Sequence, residues 1–215
     1  MKINVNLNHY RNQICVIIAV SISILLTGCV IRKQELNEKI QTTQTKLAAE
    51  VLRFHVLANS DSEADQELKL KVKSGIIEYM QGQLPEADSV QETKEWVKAN
   101  QQELTETAES IIQEEGYDYP VEVMVTTSYF PDKTYGDVTF PAGQYENLRV
   151  EIGEAAGQNW WCVLYPNLCF IDATHAVVSE EGKEDLQEVL DEEEYEMVTA
   201  TSEFKIKWYF FGDDE

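Results

Sequence analysis

The chain has 215 residues, of which 43% are hydrophobic, and its 39 acidic residues outnumber 17 basic residues, leaving a formal net charge of −22. This length and apolar content suit one folded domain with its own core. Because such a charge repels phosphate groups, the composition excludes the usual nucleic-acid-binding classes, and we expect no nucleic-acid partner.

The N-terminus has the pattern of an export signal. Lys2 and Arg11 precede an uncharged apolar run at residues 14–26, which has the length of a secretory core segment and is short for a membrane span. The run ends in Leu-Thr-Gly-Cys29, which resembles a bacterial lipobox with Cys29 as the acylated residue. The alternative is an uncleaved anchor. We therefore predict a signal peptide or signal anchor at 1–28 and an extracytoplasmic, membrane-tethered chain after it.

Residues 29–50 are polar and predict a tether, followed by a single globular domain at 51–215. The apolar run 51–57 predicts one buried strand, and the four turn-forming residues 59–62 predict its end. A helix should follow, because Ser62 and Asp65 form a variant of the capping box.

Two helices are predicted after this turn. Leu68, Val72, Ile76 and Met80 recur at every fourth position and define the apolar stripe of the first helix. The second helix begins at a capping box at Ser89 and is predicted to run as far as residue 116.

The sequence then changes to the two-residue period of strands. Strands are predicted at 119–127, 148–152, 160–165, 168–171 and 204–210, with a loop at 131–143 and a short acidic helix at 184–190. Consecutive strands favour antiparallel pairing, so the predicted fold class is α+β, an antiparallel sheet with helices packed mainly on one face.

Cys162 and Cys169 flank the dipeptide Tyr165-Pro166. A hairpin with this dipeptide as its loop would place the two cysteines opposite each other, and in an exported domain that arrangement predicts a disulfide. The spacing is not the Cys-x-x-Cys of redox catalysts. A catalytic thiolate served by His175 is the open alternative, and it requires one free cysteine.

Trp160 and Trp161 are adjacent in a predicted strand, so their side chains should point to opposite faces of the sheet. Both indoles therefore cannot enter the same core. Either one packs on a covered outer face, or one is exposed as a docking residue, because Trp is enriched at binding hot spots.

No motif for catalysis, metal binding or cofactor binding stands out. The acidic run from Asp61 resembles a calcium loop, but it lacks the required Gly at the sixth position, where Gln66 stands, and the Glu at the twelfth. His55 with Asp61 or Asp65 is the one candidate acid–base group. We predict no catalytic residue, no metal and no cofactor.

Two long stretches resemble the stage II sporulation protein R family. The first is Arg53-Phe54-His55-Val56-Leu57-Ala58-Asn59-Ser60-Asp61-Ser62, continued by Asp65-Gln66 and Leu68-Lys69-Leu70-Lys71-Val72. The second is Asn159-Trp160-Trp161-Cys162-Val163-Leu164-Tyr165-Pro166, with Leu168-Cys169-Phe170 after it. With Leu148-Arg149-Val150 between them, the resemblance covers most of residues 51–172.

This resemblance implies an exported signal of sporulation rather than an enzyme. Family members pass from the forespore into the space between the two cells. There they activate a membrane-embedded aspartic protease of the mother cell, which processes the precursor of sigma factor E. On this basis we expect partner binding by residues of the two motifs, namely His55, Asn59, Asp61, Asp65, Trp160 and Trp161.

Two other functions stay open at this stage. One is an envelope hydrolase that uses His55 with Asp61 or Asp65. The other is a lipoprotein that binds a small ligand near Trp160.

Overall fold

The structure, a computed structural model, describes residues 7–85, 87–169, 178 and 180–199. It divides into two compact units, Met1–Thr42 and Thr43–Glu215. The second unit therefore begins before the predicted boundary at residue 51. Thr43 and Leu47 are buried within it, although their polar surroundings carry no periodic signal that would show this.

Helix α1 covers Leu7–Glu50, so the predicted tether is helical. The apolar side chains of its first part are exposed, for example Leu25 at 69% and Ile17 at 64%. Among the described helices, the segment Gln13–Glu50 is long and apolar enough to cross a membrane by length and composition. An exposed apolar helix near the N-terminus fits a signal or a membrane anchor.

The second unit contains a four-stranded sheet in the order β2-β5-β1-β6. The strands are β1 Leu52–Leu57, β2 Val121–Phe130, β5 Gly143–Ile152 and β6 Asn159–Tyr165. The pairs β2–β5 and β1–β6 are antiparallel, whereas β1 and β5 are parallel. A separate hairpin consists of β3 Lys133–Tyr135 and β4 Val138–Phe140.

Three helices cover one face of the sheet: α2 Glu63–Gln83, α3 Val90–Ala99 and α4 Gln101–Glu114. The hydroxyl of Ser62 accepts a hydrogen bond from the Asp65 amide, as the capping pattern predicts. The predicted stripe of α2 is buried against Phe54 and Val56 of β1 and against the inward residues of β5. The predicted α+β class, with a mainly antiparallel sheet, is confirmed.

A second core lies on the opposite face, which we call the outer face. It joins Leu47 and Val51 to Val163 of β6 and to the β3–β4 hairpin. Helix α5 Glu180–Val189 contributes Leu186, helix α6 Glu192–Thr199 contributes Met197 and Val198, and Leu190 between the two helices also enters this core.

Several elements differ from the prediction. The helix predicted from residue 89 is broken at Asn100, whose side-chain amide donates to the Trp96 carbonyl and caps α3. The predicted loop 131–143 contains the β3–β4 hairpin, which turns at Gly136 with φ of 60°. Helix α6 was not predicted. Leu168 and Cys169 are not in a strand, and the strand predicted at 204–210 lies outside the described residues.

Two leucines of α2 provide a test of the helical layer. Leu68 is 2% exposed and Leu70 is 47% exposed. We expect Leu68→Ala to lower the free energy of unfolding by roughly 2–5 kcal/mol, because it leaves a cavity between helix and sheet. Leu70→Ala should change it by about 0.5 kcal/mol or less. Urea denaturation of the full chain in mild detergent measures both, and equal effects would contradict the observed orientation of α2.

Candidate functional site

The turn after β1 and the loop between β5 and β6 are joined by backbone hydrogen bonds. The amide of Gly157 donates to the Ala58 carbonyl at 3.0 Å, and the amide of Ala156 donates to the Asn59 carbonyl at 3.2 Å. They meet because β1 lies between β5 and β6 in the sheet. We call this contact the turn–loop junction. It brings together the two stretches on which the family resemblance depends.

Side chains of the first motif complete the junction. The Asn59 side-chain oxygen accepts from the Glu154 amide at 3.0 Å, and an Asp61 oxygen accepts from the Gln158 amide at 2.7 Å. The ammonium of Lys69 donates to the Gln158 carbonyl at 2.9 Å. These groups satisfy the polar backbone of a loop that has no ladder partners of its own.

Asp65 anchors the junction from the first turn of α2. It is 5% exposed, and one carboxylate oxygen accepts from the Ser60 hydroxyl at 2.5 Å and from the Asn59 amide at 2.9 Å. These hydrogen bonds, that of Ser60 first, lower the pKa of Asp65 below its usual range. Asp65 is therefore ionised at neutral pH, and one of its oxygens has two hydrogen-bond donors.

Two glycines allow the close approach of the loop. A Cβ atom on Gly157 would overlap the carbonyl oxygen of Ser60, and one on Gly153 would overlap the side chain of Asn59. Gly153 also has φ of 59°, in the left-handed region that favours glycine. The sequence carries a signal here that we did not use, namely two glycines four residues apart between two strands.

The two adjacent tryptophans lie on opposite faces of β6. Trp160 packs on the helical side, edge-on to Phe54 with ring centroids 5.6 Å apart. Trp161 lies on the outer face, where its ring stacks on His55 at 5.7 Å. Each indole is half-buried and has a lysine ammonium over its ring, Lys73 at 5.2 Å and Lys133 at 4.2 Å respectively.

His55 is 6% exposed on the outer face. Its Nε2 atom lies 2.7 Å from the side-chain oxygen of Asn159. Burial, as the largest cause, lowers the pKa of His55, so the ring is neutral at pH 7 and Nε2 donates its hydrogen to that oxygen. Its partner is thus Asn159, whereas the Asp61 and Asp65 oxygens are used at the junction. The candidate acid–base pair of His55 with Asp61 or Asp65 is not formed.

Arg53 is fully buried on the same face without a carboxylate beside it in the described part of the chain. Its guanidinium carbon lies 4.5 Å from the Phe130 ring centre and 4.9 Å from that of Tyr145. It donates to the Cys162 carbonyl and to the Tyr135 hydroxyl. Aromatic faces and these two acceptors replace an ionic partner, which makes Arg53 a structural residue of the second core.

Cys162 and Cys169 are not joined to each other in the structure, and the disulfide between them stays a prediction. The amide of Cys169 donates to the carbonyl of Val163 at 3.0 Å, so the chain returns one residue out of the predicted register. The two thiols nevertheless interact by a hydrogen bond, and burial raises the pKa of Cys169. Cys29 is exposed on α1, and its acylation stays a prediction. His175 lies outside the described residues.

The described residues contain no group of three or more His, Cys, Asp and Glu side chains placed to hold a metal ion. Of the six predicted partner-binding residues, the structure brings Asn59, Asp61 and Asp65 together at the junction and places His55 against Trp161 on the outer face. Trp160 stands apart on the helical side. Their role in binding a partner stays a prediction.

Comparison with known proteins decides the family. The family model described as stage II sporulation protein R (spore_II_R) matches residues 48–175. The chain belongs to the stage II sporulation protein R family. It is also similar to the stage II sporulation protein R of Bacillus subtilis (strain 168), with 31% identity over 191 residues that cover 87% of this chain and 85% of the relative. No solved structure matches. The family predicted from the two motifs is therefore confirmed.

The turn–loop junction lies within the matched region. Its close packing can be tested by adding one methyl group at a glycine. We expect Gly157→Ala to lower the free energy of unfolding by roughly 2 kcal/mol or more, because the new Cβ meets the backbone carbonyl of Ser60. Gly82→Ala, in open space near the end of α2, is the control and should not destabilise the fold. Thermal or urea denaturation compares them, and a neutral Gly157→Ala would contradict the close approach.

His55 makes stability depend on pH with a definite sign. Its pKa in the folded chain is below the ordinary value of 6.5, so on acidification through pH 6.5 the unfolded chain takes up a proton that the folded chain refuses. The free energy of unfolding should therefore fall more for wild type than for His55→Gln between pH about 7.5 and about 5.5. Parallel pH profiles of the two proteins, from urea denaturation, would show that the His55 ring is not buried in its neutral form.

Proposed function

We propose that this chain is an exported sporulation signal that activates a membrane-embedded aspartic protease of the neighbouring cell. The protease then processes the precursor of the mother-cell sigma factor E. The observation that carries the proposal is the family match across residues 48–175, which includes the junction, the central strand and both tryptophans. In this proposal the chain is a ligand of the protease and cleaves nothing itself.

The N-terminal segment supports the route that such a signal must take. The exposed apolar part of α1 fits a signal or membrane anchor, and it precedes the compact unit that begins at Thr43. We infer that the folded unit acts in the space between forespore and mother cell, held at the membrane by this segment. An anchored ligand meets a membrane-embedded receptor at a high effective concentration, which favours signalling at short range.

The geometry of the motif residues supports recognition rather than bond-making. Asp65 is ionised and accepts hydrogen bonds from Asn59 and Ser60, and His55 is buried, neutral and paired with Asn159. His55 and Asp65 have separate hydrogen-bond partners, one at the start of β6 and the others in the turn after β1. Both side chains therefore hold neighbouring segments in place. A rigid scaffold loses little conformational entropy on binding and so favours a stable complex with a receptor.

Reconstitution tests this function. The protease is placed in proteoliposomes with the sigma factor precursor on one side, and the purified chain is added on the other side. We expect cleavage of the precursor only with the chain present, and co-purification of chain and protease in detergent. The control is the chain added on the side of the precursor, which should not activate. Cleavage without a physical complex would contradict direct docking, and no cleavage in any orientation would contradict the function.

A further inference from the structure

Strand β2 stands at one end of the sheet order β2-β5-β1-β6, so one of its edges has no neighbouring strand among the described residues. The Gly153 amide donates to the Pro120 carbonyl, and hydrogen bonding to β5 alternates from there along the antiparallel ladder. The odd-numbered residues within 121–129 therefore direct their N–H and C=O groups away from β5. A hydrogen bond of 2.6 Å from the Gln101 side chain to the Val123 carbonyl agrees with this alternation.

Three of these outward residues have a free backbone. The Val123 carbonyl is used by Gln101, whereas the outward N–H and C=O groups of Val125, Thr127 and Tyr129 make no hydrogen bond to any described residue. The last two side chains leave the edge accessible, since Thr127 is exposed and Tyr129 is 63% exposed. We call residues 125–129 of β2 the free edge. Such a row of unpaired backbone groups is a template for another strand.

The free edge lacks the features by which proteins usually prevent edge strands from pairing, namely charged residues, proline and bulges. Residues 123–130 contain no charge and no proline, although 26% of the chain is charged. The whole of β2 pairs with β5 in one unbroken register. The carboxylate beside Thr127 in that register, Glu146, is neutralised by the Lys94 ammonium at 2.7 Å. A partner strand therefore meets no net charge at the free edge.

The free edge is complementary to a second copy of itself. Its three free residues are symmetric about Thr127, so an antiparallel register with a two-fold axis at Thr127 pairs all three of them. Thr127 then faces Thr127 of the copy, and Val125 faces Tyr129 of the copy on the same side of the sheet. Thr–Thr pairs and pairs of an aromatic with a β-branched residue are cross-strand pairs that stabilise sheets. Each facing pair exchanges two backbone hydrogen bonds, about six in total.

The same register limits the length of the pairing. Past Phe130 the chain has Pro131, which has no N–H group to donate. At the other end Glu122 would face Asp132 of the copy, and like charges opposite each other are unfavourable. The contact is thus short, and the charge of −22 on each chain opposes it at low salt. Because α1 fits a membrane anchor, two chains in one membrane would meet at a higher effective concentration, which favours such a short contact.

We propose that two copies of this chain associate through the free edge, as antiparallel strands related by a two-fold axis at Thr127. The two four-stranded sheets then form one continuous sheet, with the contact made by backbone groups of both copies. The inference does not depend on the proposed function. It goes beyond that function by assigning an interaction surface, and a second copy of this chain as its partner, to the edge of the sheet remote from β6.

Opposite charges at residue 127 test the axis directly, because the two side chains at an axis face each other. Thr127→Lys places two ammonium groups opposite each other, and Thr127→Glu places two carboxylates there. A mixture of the two variants places an ammonium opposite a carboxylate. Thr127 is exposed, so both replacements are compatible with the fold. Leu70→Lys, at an exposed position of α2, adds the same charge as Thr127→Lys away from the free edge and is the matched control.

Sedimentation velocity of the full chain in mild detergent measures the association. We expect wild type to dimerise with a dissociation constant on the order of 10 μM, as a short contact allows. Thr127→Lys and Thr127→Glu should each dimerise about fivefold more weakly or worse, and their mixture should dimerise at least as well as wild type. Added salt should strengthen the dimer of each charged variant by screening the repulsion. Leu70→Lys should stay within about twofold of wild type.

Association through α1 or another surface would not respond to residue 127. Equal dimerisation of wild type, both charged variants and their mixture therefore overturns the inference. A wild type that stays monomeric at about 100 μM also overturns it and leaves the free edge to another segment or another protein. Near-UV circular dichroism checks that the variants are folded. If they are not, Tyr129→Ala decides at a 63% exposed position, with a weaker dimer expected and an unchanged dimer contradicting the proposal. None of these outcomes bears on whether the chain activates the protease.

Discussion

The contact between the turn after β1 and the loop between β5 and β6 is the constraint on which the rest of the structure depends. It consists of two backbone hydrogen bonds, side chains of the first motif that satisfy the loop, and two glycines at which a Cβ atom would overlap the Ser60 carbonyl or the Asn59 side chain. Because β1 is paired with both β5 and β6, the junction also sets where β5 ends and where β6 begins. Polar backbone at such a crossing must be paired, which explains the unusual density of short polar residues in the first motif.

The central strand β1 has two chemically different faces. Phe54 and Val56 enter an apolar core beneath α2, α3 and α4, whereas Arg53 and His55 enter a polar and aromatic environment on the other side. The first face supplies stability by burial of apolar area. The second contains buried nitrogen atoms, which cost stability unless they are paired.

Much of the fold followed from pattern alone. Alternation and capping located β1, α2, β2, β5 and β6 because each has a strong local signal in periodicity or turn chemistry. The β3–β4 hairpin was missed because its strands are three residues long. The break at Asn100 was missed because an apolar face continues across it, and the chain reversal there depends on one side-chain amide. The return of the chain after Pro166 differs from the predicted hairpin by one residue, because the Cys169 amide donates to the Val163 carbonyl.

For the candidate site, the sequence singled out two stretches that the fold brings together, but not the contacts that their residues make. Export pattern, family and the opposite orientation of Trp160 and Trp161 are local properties of the chain, and the sequence alone determined them. Only the tertiary structure decided that Asn59, Asp61 and Asp65 support a loop, that His55 is paired with Asn159, and that Lys133 lies over Trp161. Such relations join residues that are distant in the chain, and strand order and register, which bring them together, are not written in any single segment.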